Sequence, residues 1–247
     1  MGWFAHYAQK RKAAFAAIRK AGGEIQMGID KPSRLVKWFG PEVFSTVNKI
    51  DLRDGKADNA LLTHIGALTE LHRLDLSDAD IDDEGLRQID HLPLRELWLQ
   101  STNITNKSAA TISKIRTLYF LQLNATSLSN EFLEQLESMP ALADLGLRGT
   151  QVTGAGMKYL SRHPNLKHVD VYSTGVDNSG VRHLADCKGL TDVGLSMTRI
   201  TNDVFEYLEM LPNLTEADLS ANRPITTEAV LAFEKAHPQC DIEWYGE

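Results

Sequence analysis

Cysteine is scarce in this sequence of 247 residues, which contains only Cys187 and Cys240. Two thiols so far apart provide neither a disulfide framework nor the ligand spacing of a zinc site. We therefore expect a protein of a reducing compartment, the cytoplasm, with no bound metal. No residue pattern indicates a cofactor.

Long apolar runs are also absent. No stretch approaches the roughly 18–20 consecutive apolar residues that a membrane-spanning helix needs. Lys10, Arg11 and Lys12 stand where the apolar part of a secretory signal would lie. We expect no integral membrane segment; the alternative is a membrane tether through a segment that this sequence does not contain.

Basic charge is low over most of the chain, whose formal net charge is −7. Residues 1–46 hold eight lysines and arginines against three acidic residues, so the remainder is more acidic than the whole. Phosphate backbones are bound by basic stripes, and we therefore expect no nucleic-acid partner. P-loop, GxGxxG and GxSxG motifs are missing, so we expect no catalytic residues and no enzyme.

A repeat with the pattern L-x-x-L-x-L dominates the rest of the sequence. It begins at Leu71, Leu94, Leu118, Leu142, Leu166, Leu190 and Leu214, at intervals of 23 or 24 residues. Val47 is in register one interval earlier, and Ile242 and Trp244 are in register at the end. The sequence therefore predicts a helical N-terminal cap over residues 1–46. It also predicts that residues 47–247 form eight repeats of 23–25 residues and a closing strand.

The second half of each repeat predicts a short helix. A residue type that favours the helix N-cap recurs at one position. These residues are Asp58, Asp82, Thr105, Ser129, Thr153, Asp177, Thr201 and Thr226. Apolar residues then follow at helical spacing. Stacked strand–turn–helix units give an α/β fold: a right-handed horseshoe solenoid with a parallel concave sheet and convex helices. We expect the hydroxyls of a threonine column, such as Thr126 and Thr174, to bond turn backbone groups.

The full pattern, L-x-x-L-x-L-x-x-T-x-[IV]-T-x-x-x-L-x-x-L, resembles the leucine-rich-repeat family, in the subclass with helical convex sides. The segments AIRKAGGE (17–24), LVKWFGPEVFSTVNKID (35–51) and HPQCDIEW (237–244) are similar to those of planctomycete-type bacterial leucine-rich-repeat proteins. The resemblance implies a bacterial protein-binding module whose partner is unassigned.

The N-terminal cap is expected to contain a helix over residues 3–21, ended by Gly22 and Gly23. An extended piece near Ile25–Ile29 and a helix from about Ser33 to Val47 follow. The first helix has a basic face with two interpretations, formed by Lys10, Arg11, Lys12, Arg19 and Lys20. They are either part of a simple cap or a contact surface for anionic lipid or an acidic partner.

Residues that flank the buried strand leucines should face the concave side. Trp98 and Phe120 are neighbours there and would face solvent, where aromatic residues are typical of binding surfaces. Alternatively the two rings stack on each other, or the N-terminal segment covers them. The candidate binding residues are Trp98, Phe120, Gln122, Asp144, His168, Asp170, Tyr172, Asp192, Glu216 and Asp218.

Acidic residues concentrate on the C-terminal half of this face, which favours a protein partner with a basic surface. The alternative is a solvated acidic face that serves solubility. We expect flat, solvated strands to leave side-chain pKa values unperturbed, which argues against acid–base catalysis. Two other functions stay open: a self-associating scaffold that uses the basic N-terminal segment, and an enzyme or effector with an unrecognised site in a deep polar pocket. The oligomeric state is not predicted.

Overall fold

The computed structural model describes residues 2–28, 40, 43, 45–53 and 56–245. It begins with helix α1 (Gly2–Lys20) and strand β1 (Glu24–Gly28), and continues as a stack of short strands and helices. The later strands are β2 (Thr46–Asp51), β3 (Arg73–Asp75), β4 (Glu96–Trp98), β5 (Phe120–Gln122), β6 (Asp144–Gly146), β7 (His168–Asp170), β8 (Asp192–Gly194), β9 (Glu216–Asp218) and β10 (Asp241–Glu243). The later helices are α2 (Asn59–Ile65), α3 (Asp83–Leu86), α4 (Ser108–Ile112), α5 (Asn130–Gln135), α6 (Gly154–Met157), α7 (Asn178–Leu184), α8 (Val204–Leu208) and α9 (Thr227–Ala236).

The strands form one sheet in the order β1 to β10. Strand β1 pairs antiparallel to β2, whereas each pair from β2–β3 to β9–β10 is parallel. The parallel pairs align equivalent residues of successive repeats, as in Leu74 with Leu97 and Leu97 with Leu121. The predicted α/β solenoid with a parallel sheet is therefore confirmed.

The core is a continuous column of the repeat leucines and the apolar residues of the helices. Each repeat has one apolar side, which stacking buries against the next repeat. Helix α1 closes the first repeat with Phe15 and Ile18, which are fully buried. Arg11 of α1 is also buried, where it pairs with Glu70 and donates to the Ser45 carbonyl.

The N-terminal elements agree with the sequence in part. Helix α1 and strand β1 confirm the predicted helix and extended piece, and Gly22 takes a left-handed φ of 78° after the helix. The second predicted helix, from about Ser33 to Val47, falls mostly outside the described residues. Its predicted end is wrong, because Thr46 and Val47 belong to strand β2.

The turn after each strand is held by two recurring features. The threonine hydroxyls donate to the carbonyl three residues earlier, as Thr174 does to Val171 at 2.7 Å, which confirms their structural role. A residue with left-handed φ comes just before each threonine position. These residues are Asp78, Ser101, Ala125, Gly149, Ser173, Met197 and Ala221.

Helix starts follow the predicted N-caps with exceptions. The side chains of Asp58, Asp82, Ser129, Asp177 and Thr226 accept a helix N–H. Thr153 is an N-cap without such a bond, and the helices after Thr105 and Thr201 begin later, behind Lys107 and Asp203. Asparagine side chains also join successive repeats. Asn130, for example, accepts from the Thr153 N–H and donates to its hydroxyl.

Candidate binding surface

The sheet face turned away from the helices, called here the concave face, carries the predicted binding residues. The middle residue of each strand from β3 to β10 is buried in the core, so its two neighbours point to the other side. Strands β4 to β9 hold nine of the ten candidates, and Tyr172 lies two residues beyond the end of β7. The sheet therefore brings all ten residues to one face.

Trp98 and Phe120 contact each other on this face. Their ring centroids lie 4.8 Å apart with the planes tilted by 47°. Both side chains are half-buried, so they do not face solvent freely, and the two rings contact each other in a tilted arrangement and not as a face-to-face stack. Aromatic pairs in tilted geometry stabilise each other. The exposed part of both rings is still available to a partner.

The aromatic pair is held by an arginine that sequence reasoning did not select. The guanidinium carbon of Arg73 lies 5.8 Å from the Trp98 ring centroid, and its Nε lies 2.7 Å from Glu96. Glu96 is buried and also accepts the Tyr119 hydroxyl. The Arg73 guanidinium thus lies over the Trp98 ring, and its ion pair with Glu96 holds it there. The only sequence signal is an arginine one strand before an acidic–x–aromatic triplet.

A glycine next to the aromatic pair makes room for an amide. Gln122 reaches across to donate to Asp144 at 3.0 Å, and Asn124 donates to Gln122 at 2.9 Å. A Cβ atom at Gly146 would collide with the Gln122 side-chain oxygen. The glycine therefore lets the amide lie flat over the next strand and position Asp144.

His168 stands among three carboxylates. Its Nδ1 lies 2.7 Å from Asp192 Oδ1, and Asp144 and Asp170 are close enough to act on its charge. Burial alone would lower the pKa of His168, but the hydrogen bond to Asp192 and these negative charges raise it. Partial burial also raises the pKa of Asp144. The expectation that the strands leave pKa values unperturbed is therefore wrong.

Two predicted acidic residues serve the structure itself. Asp170 is only 5% exposed, pairs with Arg148 and accepts the Tyr172 N–H. Asp218 accepts the Ser196 hydroxyl at 2.6 Å and the Ser220 N–H at 2.9 Å. Because these carboxylates satisfy groups of the protein, they add less negative charge to the surface than the sequence predicts.

The remaining acidic residues form a strip along the last three strands, called here the acidic strip: Asp192, Glu216, Asp241 and Glu243. The negative charge of Asp192 is the main cause that raises the pKa of Glu216, with burial second. A raised pKa at Glu216 is the direction expected where like charges face each other across neighbouring strands. A cationic group bound at the strip would reduce the repulsion between these carboxylates.

Other features of the chain do not gather at this face. Cys187 and Cys240 are buried, and burial raises the pKa of each thiol to about 11. His163 is buried as well, and burial lowers its pKa to about 4. A cavity of about 560 Å³ lies between α1 and α2, lined by His6, Lys10, His64 and His91 among others. None of the described helices is long and apolar enough to cross a membrane.

Comparisons with known proteins agree with this architecture. A family model described as Leucine Rich repeat matches residues 68–89. None of the curated proteins compared with the sequence is significantly similar to it.

Two internalins of Listeria monocytogenes have similar solved structures. Internalin C2 has a TM-score of 0.61 at 19% identity, covering 95% of this chain and 92% of its own. Internalin inlF has a TM-score of 0.52 at 16% identity, and the match covers 73% of this chain and 56% of inlF. At these identities the likeness concerns the fold. The matched repeat and the shared architecture identify the chain as a leucine-rich-repeat solenoid.

Proposed function

We propose that this chain is a non-catalytic interaction module that binds a protein on its concave face. The observation that carries the proposal is the aromatic pair of Trp98 and Phe120. Part of each ring is exposed in the middle of a sheet whose other large apolar residues are mostly in the core. Rigid aromatic side chains on an otherwise polar face are typical of binding hot spots.

The electrostatics of the face favour a partner with a basic surface. The acidic strip lies on the same face as the aromatic pair, toward the C-terminal end of the sheet. Such a field raises the association rate of a positively charged protein and loses strength as salt screens it. Gln122, Asp144, His168 and Tyr172 lie between the two regions and complete the proposed surface.

The test compares capture of a native partner from an extract of the source cells by the wild type and by the Trp98→Ala/Phe120→Ala variant. We expect the variant to lose most capture while still unfolding cooperatively in a thermal denaturation measurement, which checks that it is folded. Met210→Ala/Leu231→Ala is the matched control, because these exposed apolar residues lie on the helical side. Equal capture by the aromatic variant would place the binding site elsewhere.

A second candidate function is self-association through α1. This helix contains five basic residues and no acidic one, and its Phe15 and Ile18 are buried against the solenoid. Arg11 is buried in an ion pair with Glu70, so it does not belong to the basic face as the sequence predicted. Because that apolar side is already used, insertion into a membrane is disfavoured, and an acidic protein surface such as the acidic strip of a second copy fits better. A mass in solution that falls from oligomer to monomer as salt is raised would support this function. A monomer at every salt concentration would exclude it.

We further propose a cytoplasmic location and a bacterial source. The two buried, unlinked thiols support a reducing compartment, and the segment resemblances support the source. The boundary between cap and solenoid at residue 46 is also a proposal.

A further inference from the structure

One arrangement of side chains recurs along the concave face. The side chain that follows a strand by two residues reaches the carboxylate at the end of the next strand. Arg53 lies 3.5 Å from Asp75, Arg148 pairs with Asp170, and the Ser196 hydroxyl lies 2.6 Å from Asp218. The parallel register of the repeats produces this contact each time, because it aligns equivalent positions of neighbouring strands.

The Arg148 example includes an aromatic ring. The guanidinium carbon of Arg148 lies 5.7 Å from the centroid of Tyr172, while its Nε contacts Asp170. Asp170 and Tyr172 are two residues apart on the same strand end, so one arginine bonds the acid and lies over the ring. Arg73 does the same with Glu96 and Trp98. Two acidic–x–aromatic triplets on this face are thus each bound by an arginine of the chain.

A third such triplet stands at the last strand. Glu243 and Tyr245 occupy the register positions of Asp170 and Tyr172, since Glu243 pairs with Asp218 as Asp170 pairs with Gly146. Ser220 occupies the position before the third triplet that Arg148 occupies before the earlier one. The serine hydroxyl lies 3.3 Å from the backbone carbonyl of Glu243 and does not engage its carboxylate.

The third triplet is open to solvent. Tyr245 is 70% exposed, and its hydroxyl donates to Glu243 at 2.8 Å. Within the described part of the chain, no lysine or arginine forms an ion pair with Glu243 or lies over the Tyr245 ring. The other residues of the acidic strip add negative charge on one side of the triplet, and Arg223 lines a cavity with Tyr245 on the other.

We propose that Glu243 and Tyr245 form a receptor site for an arginine side chain of the protein partner. The proposal deepens the proposed function and rests on it. The partner's guanidinium takes the place that Arg148 takes at Asp170 and Tyr172. It bonds the Glu243 carboxylate and lies over the Tyr245 ring. Arginine fits better than lysine, because its planar guanidinium bonds a carboxylate and stacks on a ring at the same time.

The experiment uses two labelled octapeptides of alternating serine and arginine, or serine and lysine, which carry equal charge. Their affinities for the full chain are measured by fluorescence anisotropy at low salt. We expect the arginine peptide to bind about fivefold more tightly, the size of a cation–π contact near an exposed ring. In Tyr245→Leu this preference should vanish, whereas Tyr245→Phe should keep it because the ring is retained.

A filled-site variant provides the second measurement. Ser220→Arg should place an arginine of the chain itself over Tyr245. It should weaken binding of the arginine peptide more than Ser127→Arg, which adds the same charge at an exposed serine away from the triplet. Equal affinities of the two peptides for the wild type, or a preference that survives in Tyr245→Leu, would overturn the proposal. These readouts do not involve Trp98 or Phe120, so failure here is distinguishable from failure of partner capture.

Discussion

The imidazole Nδ1 of His168 lies 2.7 Å from a carboxylate oxygen of Asp192, which occupies the same position on the next strand. The parallel register places the two residues side by side on neighbouring strands. A histidine beside several carboxylates holds its proton more tightly in the folded chain than in the unfolded one. Stability is therefore linked to pH at this pair.

The first prediction concerns that linkage. Because the pKa of His168 is raised on folding, its stabilising contribution is complete below the ordinary pKa of histidine and is lost as pH rises through the folded value. Burial raises the pKa of Asp144, and the charge of His168 opposes that rise. Urea unfolding of the wild type and His168→Gln at pH 6 and pH 8 should show a larger stability difference at pH 6. An equal difference at both values would contradict the prediction.

The second prediction tests the space at Gly146. In Gly146→Ala the new methyl group displaces the Gln122 side chain and breaks its bond to Asp144, at a cost of about 1 kcal/mol. In a Gln122→Ala background the same substitution should cost less, since only the Asn124 side-chain oxygen, 2.9 Å from the new Cβ atom, still has to move. A double-mutant cycle of unfolding free energies measures the difference. Additive effects would show that the two residues are not coupled.

The third prediction compares two turns at the same register position. Gly149 and Ala125 have φ values of 63° and 53°. A Cβ atom at Gly149 would meet only Ala125 backbone atoms at 3.9–4.0 Å, so backbone conformation alone sets the effect. Gly149→Ala should lower the free energy of unfolding by about 1 kcal/mol, and Ala125→Gly should raise it by a smaller amount. Opposite signs would show that the left-handed turns are not strained.

The fourth prediction concerns the threonine column. Thr174→Val keeps the shape of the buried side chain but removes the bond to the Val171 carbonyl, which should cost about 1–2 kcal/mol. Thr174→Ser retains the hydroxyl and should cost less in the same denaturation experiment. If serine costs as much as valine, packing of the methyl group and not the hydrogen bond holds the turn.

Most of the fold was predictable from the sequence because each repeat is a local pattern. The interval of the leucines predicts where a strand lies, and the parallel register then follows from stacking equal units. The N-terminal segment lacks the repeat, which is why the antiparallel pairing of β1 with β2 was not foreseen. The start of α4 and α8 was also missed, since Thr105 and Thr201 satisfy N–H groups of the loop that precedes each helix.

The sequence by itself determined which residues share the concave face, because a side-chain period of two in a strand leaves no choice. Only the tertiary structure decided what those residues do there. Arg148 neutralises Asp170, Gly146 frees Gln122, and Ser220 leaves Glu243 and Tyr245 without the arginine that their counterparts have. Each of these relationships joins residues about 24 positions apart. Whether two such residues interact depends on how far each side chain reaches toward the next strand, which the repeat pattern does not specify.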